Sequence, residues 1–340
     1  MAITSGHRAA GRTERRPGTG RHAGPVGERP HRSYLHEAVL YRGDPEFIAR
    51  SVPFLRDGVA LDQPGMVAVA EPRLSMVRDA LGAETHGLHF VDMAELGSNP
   101  ARIIPAWRRF VAEHGRPERP RRGLGEPLWP GRRPSEVVEC QLHEALLNVA
   151  IDPDTPLWLR CPYDVDGLDP ALVTAALDSH PAYVDTAGYR GSTTYGGAYH
   201  VKELFAADLP SPGSPSEHLA FVGDGLCAAR QLVTRQAEDA GLTRDRVLDL
   251  TLAISEVVTN SLQHGGGRGS LRIWREADAL ICEIADSGHM DDPLVGRTMP
   301  TLTQERRRGL WLVNQLCDLV QVRSNPRGTM VRILSWLPTA

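Results

Sequence analysis

The chain has 340 residues, a formal net charge of −4, 41% hydrophobic residues and five cysteines. That length suggests two domains, each able to bury its own core, and the slightly acidic balance removes any general pull toward nucleic acid or an anionic membrane surface. No run approaches the roughly 18–20 apolar residues of a membrane span, and no apolar segment near the start marks a signal peptide.

The cysteines (Cys140, Cys161, Cys227, Cys282 and Cys317) are odd in number and widely scattered. They show no zinc spacing and fit buried thiols in a reducing cytoplasm, which is the expected location. Lys202 is the single lysine, so a catalytic cation would have to be Arg, His or a bound Mg²⁺.

In chain order, residues 1–33 are rich in Arg, Gly, Pro and His and read as a disordered tail. A nucleic-acid role for it is the weaker reading, given its length and mixed composition. From His36-Glu-Ala-Val-Leu-Tyr41 onward the pattern alternates. A helix is expected over 44–60, a strand over 65–70, a helix over 72–81 and a strand over 88–92. A helix over 99–114 carries Ile103, Ile104, Trp107 and Phe110 on one face. A strand over 124–128, a helix over 134–149 and a strand over 157–161 complete the set. Strands alternating with helices imply a mainly parallel sheet between helices.

Possible acid or base groups near these strand ends are Glu126, Glu139, His143, Glu144 and Asp164. Glu139 and His143, four apart, would suit a metal, yet a surface i,i+4 pair is the simpler reading. Cys140 with Cys161 as a redox pair is a minor alternative. No glycine-rich phosphate loop follows the 65–70 strand, where Glu71-Pro72-Arg73 stands instead, so nucleotide binding is not expected there.

Glycines and prolines concentrate in 185–214, which reads as a linker. A helix over 216–240 follows, with Leu219, Val222, Leu226, Ala229, Leu232 and Val233 on its apolar side. Next comes a helix in which Val247, Leu250, Ile254, Val257 and Val258 recur near the 3.6 period. Glu256 and Asn260, four apart, project from one side of it, with His264 one turn further on. A carboxylate, a carboxamide and an imidazole on one line suit a phosphate–metal site, since Mg²⁺ takes neutral and charged oxygen ligands; a solvated polar face is the alternative.

Two strand-like runs, 270–276 and 279–285, suggest a hairpin ending in Asp286-Ser287-Gly288, where a carboxylate meets a close backbone turn. Gly309 enters a helical run, and a helix N-terminus offers unpaired N–H groups to an anion. Two strands, 319–323 and 330–334, flank a turn containing Gly328-Thr329.

The helix with Glu256 and Asn260, the Asp286-Ser-Gly288 turn, Gly309 before a helix and Gly328-Thr329 occur in the order of the GHKL ATPase module. Residues 213–337 resemble that family, most closely its anti-sigma-factor serine/threonine kinase branch. The resemblance implies a GHKL (Bergerat) α/β sandwich with a mixed or antiparallel sheet over 215–338. It also implies ATP and Mg²⁺ as cofactors. Asp286 would bind the adenine amino group beside the Gly288 turn, and Asn260 would hold Mg²⁺. Glu256 would act as the catalytic base. Gly309, with Arg308 and Leu310 beside it, would meet the phosphates, and Gly328-Thr329 would support the adenine end. His264 would touch phosphate or cap its helix. Two departures stand out: Arg306, Arg307 and Arg308 precede Gly309 in place of glycines, and His289-Met290-Asp291 follows Gly288.

Over 34–184 a second resemblance, to the MEDS sensory domain, rests on His36 with Tyr41, Asn99-Pro-Ala-Arg102, Gly125-Glu-Pro127, Glu139-Cys-Gln-Leu-His-Glu144 and Cys161-Pro-Tyr-Asp164. It implies a signal-input module for a small ligand or redox cue, and the alternating pattern above gives that domain a mainly parallel α/β fold. The fold class expected for the whole is therefore α/β and α+β.

Together the resemblances imply a kinase that phosphorylates a STAS-type anti-anti-sigma factor, sequesters a sigma factor, or both, and that pairs through its ATPase modules. A non-catalytic partner-binding regulator, dependent on ATP or independent of it, is the alternative. A histidine kinase is a third reading. It would need a phosphoaccepting histidine on the 216–240 helix, where His218 is the sole histidine.

Overall fold

The N-terminal half wraps helices around both faces of one sheet. A computed structural model describes residues 33–114, 119–276, 278–300 and 308–338. The tail expected over 1–33 lies outside the described residues apart from Ser33, as do Arg306 and Arg307.

The elements begin with β1 (Leu35–Tyr41), α1 (Gly43–Ala60), β2 (Gly65–Val69), α2 (Arg73–Leu81), β3 (Leu88–Asp92) and the short α3 (Met93–Leu96). A 3-10 turn (Pro100–Arg102) leads into α4 (Ile103–Glu113), β4 (Arg121–Gly125), α5 (Pro134–Ala150), β5 (Leu157–Asp164), α6 (Pro170–Ser179) and β6 (Ala182–Asp185). The strand order is β3-β2-β4-β5-β1-β6, with every pairing parallel, and β7 (Gly188–Gly191) closes the edge antiparallel to β6. All of β2 is buried, as a parallel strand covered on both faces should be. Ile103, Ile104, Trp107 and Leu146 fill one side of the sheet, and Phe47, Phe54, Leu55 and Val77 the other.

The C-terminal half is an antiparallel sheet with helices on one face. It comprises β8 (Glu217–Val222), α8 (Leu226–Asp239), α9 (Arg244–His264), β9 (Arg268–Glu276), β10 (Ala279–Asp286), α10 (Arg308–Leu316), β11 (Leu319–Asn325) and β12 (Gly328–Trp336). The order is β11-β12-β10-β9-β8. Leu250, Ile254 and Val258 of α9 meet Leu271, Cys282, Ile284 and Ile333 of the sheet in one buried cluster. The mixed α/β class with one mainly parallel and one antiparallel sheet is therefore as the sequence implies.

Three expectations need correction. The 185–214 segment is folded where a linker is expected: it holds β7 and α7 (Gly197–Ala206), and α7 packs on α5 and β11. Val201 and Phe205 are buried, and with Leu204 they form a helical stripe that outweighs the flanking glycines. The 216–240 helix is a strand followed by a helix, because Gly223, at φ +47, and Gly225 turn the chain between them. The strand placed at 124–128 begins instead at Arg121, and two buried arginines disguise it. Arg122 lies over the rings of Phe54 and Trp158 and donates to Gln63 Oε1 at 2.8 Å.

The two halves lie within one unit, His31–Ala340, and share buried polar contacts. Glu139 of α5, fully buried, accepts from Arg297 at 2.8 Å and from Arg323 at 2.6 Å. Asn99 Nδ2 donates to Asn314 Oδ1 at 3.0 Å, and Arg102 donates to the backbone oxygens of Asn314, Gln315 and Cys317 at 2.8, 3.1 and 2.9 Å. Arg102 thereby satisfies the exposed carbonyls at the C-terminal end of α10 with a cation, the sign the helix dipole favours.

Candidate functional site

The last turn of α9, the end of β10, the start of β12 and the first turn of α10 converge on a cavity of about 140 Å³. Asn260, His264, Asp286, Gly288, Gly309, Leu310 and Thr329 line it, together with Val257, Ser261, Gly265, His289, Met290, Val295 and Val331. Residues far apart in sequence meet here because β10 and β12 are neighbours in register: Asp286 pairs with Thr329.

At one end stands the Asp286 carboxylate. Ser261 Oγ donates to its Oδ2 at 2.5 Å, and the Gly288 N–H donates to its Oδ1 at 2.8 Å. Each oxygen retains a lone pair, so the group can still accept a hydrogen bond from a ligand amino group. Backbone packs against it without side chains. A methyl group on Gly265 would sit 2.3 Å from Asp286 Cγ, and one on Gly288 would sit 2.9 Å from His264 O. Gly328, at φ +137, has its α-carbon against Asp286 O, where a methyl group would approach to 2.0 Å. Thr329 Oγ1 donates to Gly288 O at 2.9 Å, which braces the turn after Asp286.

At the other end Gly309 faces α9. A methyl group there would lie 3.1 Å from Glu256 Oε2 and 3.2 Å from Asn260 Nδ2. The bare α-carbon thus lets the start of α10 approach a carboxylate and a carboxamide of α9 closely. His264 is exposed at the end of α9. Arg308 is also exposed, at the first residue of α10, and does not line the cavity. Glu256 and Gly328 flank the cavity behind Gly309 and Asp286. The donor set fits a nucleotide: an acceptor carboxylate for a base at one end, and amide donors with oxygen ligands for phosphate and Mg²⁺ at the other.

Family profiles divide the chain in the same way. Residues 35–181 match the MEDS domain (MEthanogen/methylotroph, DcmR Sensory domain), and residues 224–335 match the Histidine kinase-like ATPase domain. The chain joins a MEDS domain to a histidine kinase-like ATPase domain. No curated protein matches it. Among solved structures it is similar to the RsbU and RsbW domains of Rv1364c from Mycobacterium tuberculosis, with 16% identity and a TM-score of 0.29 over 37% of this chain. The match spans about a third (34%) of that structure's chain. ATP binding follows from the ATPase domain. No helix among the described residues is long and apolar enough to cross a membrane.

In the MEDS domain the acid and base groups at the strand ends are engaged with one another. Arg73 Nη1 donates to Glu126 Oε1 at 2.7 Å, Nη2 to Asp164 Oδ2 at 2.9 Å, and Nε to Asp44 Oδ1 at 2.9 Å. Tyr41 Oη donates to Glu126 Oε1 at 2.6 Å. Burial pushes the Glu126 carboxyl up to about 7 against the pull of Arg73.

Glu139 and His143 form neither a metal pair nor a surface pair: both are buried, and Glu139 turns to Arg297 and Arg323. Cys140 and Cys161 do not pair either. Cys140 Sγ contacts Pro127 O at 3.3 Å and Cys161 Sγ contacts His36 at 3.4 Å.

Sequence reasoning missed Ser261 and Gly265 in this cavity. Ser261 adjoins Asn260 and could have been found by extending the helix pattern one residue. Gly265 reads only as a helix stop, and its contact with Asp286 exists only once β10 is laid against α9.

Proposed function

We propose that the protein is a cytoplasmic signalling regulator whose ATPase domain works as an anti-sigma-factor-like serine/threonine kinase under control of the MEDS domain. The observation that carries this reading is Gly309 set against both Glu256 and Asn260. The closeness of these three residues supports roles for them as phosphate-binding backbone, base and oxygen ligand, since phosphoryl transfer depends mainly on positioning and charge stabilisation.

Asp286 holds the adenine amino group, and Thr329 keeps its turn in place. The amides at the start of α10 receive the phosphates. Asn260 would hold Mg²⁺, which neutralises charge on those phosphates. Glu256 accepts the proton of the attacking serine or threonine hydroxyl. The acceptor is a STAS-type anti-anti-sigma factor, and a sigma factor is the protein held in its absence; a homodimer through the ATPase domains is the proposed assembly.

Control has a physical route. The residues 99–102 of the MEDS domain cap the C-terminal end of α10, the helix whose first turn carries Gly309. A shift of that cap moves the phosphate end of the site. The same pinning of α10 supports the alternative of a partner-binding regulator with little turnover.

The histidine-kinase reading loses its phosphoacceptor helix, because His218 lies on β8 opposite Arg272.

The deciding experiment titrates the full chain with Mg²⁺ and ATP beside Asp286→Ala, then offers labelled ATP and STAS-type partners to wild type and Asn260→Ala. Saturable binding lost in Asp286→Ala, with transfer lost in Asn260→Ala, supports the kinase. Partner binding without transfer in wild type supports sequestration. No nucleotide binding by the folded chain overturns both ATP-dependent forms.

A further inference from the structure

Four buried side chains in the MEDS domain converge on a point outside the strand-end network. His36 (β1), Glu144 (α5), Cys161 (β5) and His180, which follows α6, are each 3% exposed or less. Each can offer one ligand atom, and those atoms lie within 4.8 Å of one another. His36 Nε2 is 3.2 Å from Glu144 Oε2, His180 Nε2 is 3.0 Å from the same oxygen, and Cys161 Sγ is 3.4 Å from His36 Nε2. Metal bonds of 2.0–2.3 Å in a tetrahedron imply ligand separations of roughly 3.3–3.7 Å, close to these distances.

The outer contacts determine which nitrogen of each ring faces inward. Asn148 Nδ2 donates to Ser179 O at 2.7 Å, which turns its Oδ1 toward His36 Nδ1 at 3.1 Å. His180 Nδ1 lies 2.7 Å from the carbonyl of Ala176. Carbonyl oxygens only accept, so both rings carry their proton on Nδ1. In the neutral rings both Nε2 lone pairs then point at one carboxylate oxygen, and the His180 contact lacks hydrogen-bond geometry. The Cys161 thiol can donate to one of these acceptors, and a cation at the shared point, a metal ion or a proton on one ring, would satisfy them together. The orientation, with Nδ1–H tied to an oxygen and Nε2 turned inward, is that of metal-ligating histidines.

We propose that His36, Glu144, Cys161 and His180 bind a divalent transition metal of the zinc type. Cys161 would release its thiol proton to water on binding. Thiolate and carboxylate would then cancel the charge of the ion, leaving a neutral buried site. Four protein ligands leave no open position, so the site is structural or sensory, not catalytic.

The test uses the full chain, stripped with chelator under reducing conditions and titrated with Zn²⁺ and, as a spectroscopic probe, with Co²⁺. The expected result is one ion per chain, with a tetrahedral Co²⁺ spectrum and a thiolate charge-transfer band. Cys161→Ser abolishes that band, and Cys227→Ser, at the exposed thiol, keeps it. Asn148→Ala, which acts through His36, weakens binding by roughly 10–100-fold.

Three results would overturn the proposal. One is no stoichiometric binding by the folded wild type, which leaves the cluster a protonated hydrogen-bond network. The second is a wild-type Co²⁺ complex without the thiolate band, which decides the matter even if Cys161→Ser does not fold. The third is binding unchanged in both Cys161→Ser and His180→Gln.

Discussion

Gly265 lies against the carboxylate of Asp286 so closely that a methyl group on its α-carbon would sit 2.3 Å from Asp286 Cγ. Gly265→Ala therefore displaces the carboxylate without altering its chemistry. ATP binding by the full chain should fall about as far as in Asp286→Ala, while overpacking costs about 1–3 kcal/mol of stability. Calorimetric titration beside thermal unfolding checks both. Unchanged ATP affinity in a folded Gly265→Ala chain would remove Asp286 from the adenine site.

Glu139 makes two buried ion pairs between the domains. Glu139→Leu strands Arg297 and Arg323 as buried cations, with an expected loss of about 3–5 kcal/mol. Urea unfolding should show it, with increased proteolysis in the 290–300 segment. A loss below about 1 kcal/mol would mean that the two arginines reach water when Glu139 is gone.

The Glu126 carboxyl titrates higher in the folded chain, at about 7, than its ordinary value of 4.5. Between these values the folded state binds more protons than the unfolded state. Stability contributed by this group is full below about pH 4.5, is lost as pH rises to about 7, and is level above that. Glu126→Gln removes the dependence. The variant should match wild type near pH 5 and exceed it at pH 8 by up to roughly 2–3 kcal/mol. Denaturant unfolding at the two pH values gives the difference, and an equal offset at both would exclude the raised carboxyl.

Arg102→Ala removes three charge-assisted hydrogen bonds from the C-terminal end of α10. Hydrogen exchange over 310–316 should accelerate roughly tenfold or more, since each such bond contributes about 1.5–3 kcal/mol. ATP affinity should change although Arg102 does not line the cavity. Faster exchange with unaltered affinity would break the proposed link between cap and site.

Several features of the chain are legible because they are local. The apolar period of α9, the Glu256–Asn260 spacing and the β9–β10 hairpin each repeat within a few residues, at the 3.6 or 2.0 period of their element. The 197–206 helix is obscured by the glycines around it, and β4 by its arginines. Composition reports average polarity, whereas Arg122 is buried through its stacking on Phe54 and Trp158.

The α/β plan with its two family regions, the order of the elements that line the cavity and the apolar faces of the helices can all be read along the chain. Burial of a repeating face needs no knowledge of what covers it. Three other relationships exist only in the folded chain: Glu139 answers Arg297 and Arg323, Gly265 meets Asp286, and His36, Glu144, Cys161 and His180 share one buried point. Those contacts join residues up to 184 positions apart. Their partners are chosen by strand order and helix placement, and no spacing along the chain encodes that choice.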